Sequence, residues 1–202
     1  MSINRKFFFE RVRNTLFGGR LKPGQVAGMT AILDEWEENH AQEDDRWLAY
    51  MLATAFHETD TTMQPIQEYG GRSWYRKNYD VQGRDPARAR RMGNTAPGDG
   101  EKYCGRGYVQ LTWKTNYQAM SAVTGRDLVA QPELAMEPPV ACKVMFHGMR
   151  QGSFTGKRLR DYFNPAKEDW VNARRIINGL DKAQLIAGYA KEFYAAISYT
   201  EA

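Results

Sequence analysis

The stretch Trp47-Leu48-Ala49-Tyr50-Met51-Leu52-Ala53-Thr54-Ala55-Phe56-His57-Glu58-Thr59 decides the fold. Trp47, Leu48, Met51, Leu52, Ala55 and Phe56 recur at helical spacing, and Glu58 follows Ala55 on the same apolar face. Glu58 then sits near a helix C-terminus, where burial and the macrodipole both disfavour a negative charge. That is the setting for a carboxylic acid that donates a proton near pH 7. The plainer alternative is a surface glutamate in a fraying last turn. Further along, Glu68 lies beyond Pro65 among Gln67, Tyr69, Gly70 and Gly71, in what reads as a polar loop open to water. One dry carboxyl and one wet carboxylate form the pairing that hydrolysis of a glycosidic bond requires.

Outward from this helix the chain reads as helical almost throughout. Phe8, Val12 and Leu16 mark a first helix stopped by Gly18-Gly19. Pro23 opens a second, with Val26, Met29, Leu33 and Trp36 on its buried face. Asp44 or Asp45 caps the helix that leads to Glu58. Residues 70–106 break the pattern with seven glycines, Pro86, Pro97 and a cluster of arginines. They read as a long loop region with a short hairpin around Tyr69 to Tyr79, and loops of that length inside a compact domain usually carry function. Helices resume at 116–124, 139–149, 159–163, 170–177 and 181–197.

Bulk properties bound the function classes. With 202 residues, 42% hydrophobic and 26% charged, the chain has the composition of an ordinary soluble globule. No apolar run approaches the ~20 residues of a membrane span. The N-terminal Phe7-Phe8-Phe9 is interrupted at once by Glu10, Arg11 and Arg13, so it reads as an amphipathic helix and not as an export signal. Cys104 and Cys142, the only cysteines, read as reduced, packed thiols. His57-Glu58 lacks the second histidine of His-Glu-x-x-His, because position 61 is Thr, and His40 and His147 are isolated. No metal and no cofactor are expected. Nor does any helix-turn-helix, zinc-finger or RNA-recognition pattern accompany the basic residues.

A second stretch reads Tyr103-Cys104-Gly105-Arg106-Gly107-Tyr108-Val109-Gln110-Leu111-Thr112-Trp113-Lys114-Thr115-Asn116-Tyr117. With His57-Glu58-Thr59, with Asp127-Leu128-Val129-Ala130-Gln131-Pro132-Glu133-Leu134 ahead of Pro138-Pro139, and with Ile176-Ile177-Asn178-Gly179, it resembles glycoside hydrolase family 19. These are chitinase-like enzymes that include many phage endolysins. The four pieces occur in the family's order and span roughly residues 47–180. The resemblance implies a mainly α, lysozyme-like helical domain with a central loop or short β-hairpin lobe and a substrate groove. Residues 1–202 then form a single catalytic domain, with no separate wall-binding module and no partner subunit.

Roles follow from the same resemblance. Glu58 matches the general acid, and Glu68 matches the general base that activates water. Thr112, where the plant enzymes have serine, matches the hydroxyl that helps to hold that water. His57, Tyr103, Gln110, Asn116 and Asn178 match substrate-binding positions, and amides suit the task because each offers a donor and an acceptor. Asn178 also fits a helix C-cap ahead of Gly179. The family's usual Gly-Gly after His-Glu-Thr is replaced here by Asp60-Thr61. Trp74, Tyr75, Tyr79 and Trp113 are further candidates for stacking on sugars, or for packing the scaffold. A single-displacement mechanism would set the two carboxyl groups about 6.5–9.5 Å apart and invert the anomeric centre.

Charge bears on the substrate. The net charge is +4 with pI near 9.0, and Arg72, Arg76, Lys77, Arg84, Arg88, Arg90 and Arg91 crowd the central region. A basic face draws a protein toward polyanions, which favours anionic peptidoglycan over neutral chitin unless the arginines pair with Asp80 and Asp85. The expectation is an endolysin that cuts the β-1,4-linked glycan strand. It would be made in a bacterial cytoplasm and admitted to the wall through a holin pore. An endochitinase and a non-catalytic carbohydrate-binding homologue are the alternatives.

Overall fold

The protein's structure, a computed structural model, describes residues 2–198. It is mainly α-helical with two small two-stranded sheets among those residues. The chain forms two compact units, one of residues up to Gln64 together with those from Met145 onward, the other of Pro65–Val144.

In the first unit, α1 (Arg5–Thr15) is capped by Asn4, whose side chain accepts from the Phe7 N–H. Pro23 opens α2 (Pro23–Asn39), where its missing N–H costs nothing. Asp44 caps α3 (Asp45–Glu58) by accepting from the Arg46 N–H at 3.0 Å. The sequence shows one apolar face on α3, yet every residue from Leu48 to Phe56 is buried. Thr54, within this buried stretch, donates its hydroxyl to the Tyr50 carbonyl at 2.8 Å. The main neighbour of α3 is the C-terminal helix (Ala183–Ile197), which also packs on α1. Phe56 lies edge-on to Phe193 at 6.0 Å, and Phe193 stacks on Phe8 at 6.3 Å, so three rings tie these three helices together. Each such ring contributes about 1.5–3 kcal/mol by leaving water.

Two expected helices are corrected here. Residues 159–163 form a 3-10 turn (Leu159–Asp161) that runs into a hairpin, with Phe163 opposite Glu168 and Asn164 opposite Lys167. Asn164 makes the turn by accepting from the Ala166 N–H at 3.0 Å. The segment 170–177 holds a 3-10 helix (Asn172–Ile176) whose first N–H is accepted by Asp169.

In the second unit, β1 (Ile66–Gln67) pairs antiparallel with β2 (Arg106–Gly107). The stretch read as loop contains α4 (Arg72–Tyr79), α5 (Pro86–Arg91) and α6 (Asp99–Lys102), and the hairpin expected around Tyr69 to Tyr79 is the helix α4. What stabilises α4 is packing against α6, a long-range contact that local sequence does not announce. Arg72 and Arg76 both reach Glu101, and the buried Asp80 accepts from the N–H groups of Gly98 and Gly100 at 2.8 and 3.1 Å. Helix α7 (Lys114–Thr124) ends at Gly125 in the left-handed conformation, as its sequence signals. Helix α8 (Pro138–Gln151) follows a 3-10 turn (Pro132–Met136), and its residues from Met145 belong to the first unit. The C-terminal helix is α9. Cys104 and Cys142 are both buried and do not form a disulfide with each other, in line with the sequence reading.

Candidate active site

Glu58 is the last residue of α3 and is partly buried, its side chain 17% exposed. Arg174, whose side chain is only 4% exposed, donates from Nη1 to Glu58 Oε1 at 2.6 Å. Its Nε donates to the Asp181 carbonyl at 3.2 Å, which fixes the guanidinium from its other side. Burial pushes the neighbouring His57 imidazole below its usual range, so it is neutral at pH 7.

The turn that follows is tightly held. Thr59 donates to the Ala55 carbonyl at 2.7 Å and accepts from the Met63 N–H at 3.0 Å. Gln25 of α2 donates to the Thr61 carbonyl at 3.0 Å, and Gln64 donates to the Gly24 carbonyl. Asp60 and Thr61 stand at φ 50 and 63, the left-handed region that glycines would occupy without strain. The backbone conformation that Gly-Gly would permit is therefore kept by residues that pay for it.

In the second unit, Glu68 directly follows β1 and is held at three points. Its N–H donates to the Gly105 carbonyl at 2.8 Å, its carbonyl accepts from the Tyr75 hydroxyl, and Oε1 accepts from the Tyr79 hydroxyl at 2.8 Å. The open, solvated loop expected for Glu68 is thus a clamped and partly buried position, because α4 folds beside it. Gly105 brings Glu68 together with Gln110 and Thr112. A Cβ on Gly105 would lie 2.9 Å from Gln110 Oε1 and 3.3 Å from both Glu68 Cβ and Thr112 Oγ1. Gly107 has φ 84, and a Cβ there would meet the Ala135 carbonyl at 2.8 Å, so the Gly-Arg-Gly turn needs glycine at both ends for different reasons.

The remaining sequence-selected residues divide clearly. Thr112 donates its hydroxyl to the Gln110 carbonyl at 2.8 Å, which leaves its lone pairs as acceptors. Asn116 donates to the Thr112 carbonyl at 2.8 Å and so steadies that residue. The Gln110 amide donates to the carbonyls of Ile66 and Gly107, leaving Oε1 beside Gly105. Asn178 is exposed in the first unit, and its Oδ1 accepts from the Gly179 N–H at 2.9 Å. Tyr103 does not fit sugar contact: it is 2% exposed, and its hydroxyl donates to the Val129 carbonyl at 3.2 Å. Tyr75 and Trp113 are buried as well, whereas Trp74 is 42% exposed, and Tyr69, which the sequence reading passed over, is 67% exposed.

Sequence reasoning missed Arg174 and the part played by Arg106. Arg106 is 7% exposed and donates to the carbonyls of Lys102 and Cys104, to the Tyr117 hydroxyl and to Gln67 Oε1. Arg106 stands between Gly105 and Gly107, and Arg174 follows Ala173; each is buried, and a buried cation needs buried acceptors.

A family profile for glycoside hydrolase family 19, described as chitinase class I, matches residues 36–153. Among solved structures the chain is similar to chitinase C from Streptomyces griseus, with a TM-score of 0.66 and 22% identity over 98% of this chain and 93% of that one. It is also similar to a bacterial family 19 chitinase, with a TM-score of 0.61 and 20% identity over 98% and 96%. A class IV chitinase from Zea mays follows with 0.55 and 18% over 94% and 92%. No curated protein sequence matches significantly.

Proposed function

The chain belongs to glycoside hydrolase family 19 and is a glycosidase of chitin-like polysaccharides, and from that premise we propose that it is an endolysin acting on peptidoglycan. Glu58 is the acid and Glu68 the base. Water donates one hydrogen to Glu68 and the other to Thr112 Oγ1, which turns its oxygen lone pair toward the anomeric carbon. As the C–O bond to the leaving sugar breaks, Glu58 passes its proton to the leaving oxygen. Glu68 ends protonated, Glu58 ionised, and the configuration is inverted. The observation that carries this reading is a carboxyl at each of the two motif positions inside the family's matched region, Glu58 closing α3 and Glu68 clamped by Tyr79 beside Gln110 and Thr112. Exposed Tyr69 and Trp74, close to Glu68 in sequence, supply ring faces for sugars.

The choice of peptidoglycan rests on charge. Asp80 and Asp85 cap backbone N–H groups and do not pair with the arginines near them. Among the described residues no acid lies within ion-pair reach of exposed Lys77, Arg84, Arg90 or Arg91, which favours an anionic wall polymer over neutral chitin. The protein would work as a monomer, made in a bacterial cytoplasm and released to the wall through a holin pore. No described helix is long and apolar enough to cross a membrane.

Chitin hydrolysis is the second reading, favoured by the chitinases that the chain resembles. Mass spectrometry of fragments released from purified peptidoglycan and from chitin oligomers separates the two. Glycan-strand fragments from peptidoglycan are expected; products from chitin alone would replace the endolysin with an endochitinase.

A further inference from the structure

We propose that Tyr79 is the positioning residue of Glu68, its phenol fixing the carboxylate in the one orientation from which it takes a proton from water. The inference rests on reading Glu68 as the base.

A glutamate side chain has three rotatable bonds, and the backbone contacts of Glu68 fix only its main chain. The Tyr79 hydroxyl, donating to Oε1 at 2.8 Å, fixes the end that reacts. That phenol stays a donor at any working pH, since burial first, and then the charge of Glu68, push its ionisation far above the usual range. Its ring is set edge-on between Trp113 at 5.0 Å and Trp74 at 5.5 Å. The Tyr79 carbonyl accepts from Asn94 Nδ2 at 2.9 Å, and Asn94, wholly buried, accepts in turn from the Lys114 N–H that begins α7. Asp80 then locks the end of α4 onto α6. The hydroxyl is therefore held by a frame that does not depend on Glu68.

Other groups face Glu68 electrostatically. Tyr75 and Tyr79 come from α4, Cys104 from the β2 segment and Tyr117 from α7, while Arg88 of α5 faces Tyr79 itself. Burial pushes the Cys104 thiol and the Tyr117 phenol up, so both are neutral. Tyr79 bonds one carboxylate oxygen directly, and so favours one rotamer of Glu68. A hydrogen bond to a carboxylate favours its charged form, so removing the hydroxyl makes Glu68 easier to protonate.

The test is Tyr79→Phe, which keeps the ring packing, compared with wild type and Glu68→Gln on soluble chitin hexamer and on purified peptidoglycan. Tyr79→Phe should lower kcat by roughly tenfold or more with KM nearly unchanged. The acid limb of its kcat/KM profile should move to higher pH, and NMR titration of the Glu68 side-chain carboxyl should move the same way without turnover. An inactive Glu68→Gln beside a Tyr79→Phe protein with wild-type kcat, limb and titration would overturn the role of Tyr79 alone. A fully active Glu68→Gln would overturn the base reading and this inference with it.

Discussion

Arg174 and Glu58 lie 116 residues apart in sequence and 2.6 Å apart in the fold. The pair joins the segment before α9 to the end of α3. Charge-assisted hydrogen bonds of this kind contribute about 1.5–3 kcal/mol. Arg174→Met should lower stability by about that amount and reduce activity at least tenfold, read by thermal melts and by turbidity loss of permeabilised Gram-negative cells. Glu58→Gln should stay folded and lose at least ~10²-fold in rate. Wild-type lysis by either folded variant would contradict the assignment.

The two glycines of the Gly-Arg-Gly turn should respond differently. Gly105→Ala presses on Gln110, Glu68 and Thr112, all side chains, so activity should fall further than stability. Gly107→Ala forces a side chain into a left-handed backbone and against the Ala135 carbonyl, so stability should fall by ~1–2 kcal/mol or more. Chemical denaturation and rate measurements on both variants check the contrast; equal melting of the two would undo it.

Thr61 offers a gain. At φ 63 a β-branched residue is strained by roughly 1–2 kcal/mol, while glycine costs about 0.5–1 kcal/mol in unfolded-state entropy. Thr61→Gly should therefore melt at the same temperature as the parent or above it. A clear drop would mean that the threonine side chain supplies a compensating contact.

Acid should weaken the fold through its histidines. Burial holds both His57 and His147 below the ordinary histidine value of about 6.5, and Arg150 adds to the effect at His147. Above pH 6.5 these residues are neutral folded and unfolded, so they cost nothing. As pH falls below that value the unfolded chain binds protons first, and stability declines until the folded-state values are passed. His57→Gln should flatten part of this decline in melts taken between pH 7.5 and 5; an unaltered slope would show that His57 does not contribute.

Much of this was legible in the sequence, for physical reasons. The α3 helix, a cap at the first of the two candidates Asp44 and Asp45, the Pro23 start and the Gly125 stop rest on local signals, and each is found in the structure. The meeting of Glu68, Gln110 and Thr112 around Gly105 is made by the pairing of β1 with β2 and by the close approach that glycine allows, which the sequence did not announce. What stayed hidden depends on distant partners. Helix α4 is held by Glu101 and by backbone N–H groups beyond Pro97, so its arginines and flanking glycines read as loop. Tyr103 shares the look of a sugar-stacking aromatic, and only its burial against Val129 and Tyr117 separates the two. Arg174 lies outside the matched region and announces its partner through no motif.

The central claim, that Glu58 and Glu68 act as acid and base on one glycosidic bond with water as nucleophile, is tested most directly by the anomer first formed. Proton NMR of the new reducing end, recorded within the first minutes of cleavage of a β-1,4-linked oligomer, should show the α configuration, equilibrating later by mutarotation. A first-formed β anomer would require a covalent or substrate-assisted intermediate, and would contradict the assignment of Glu68 as the base.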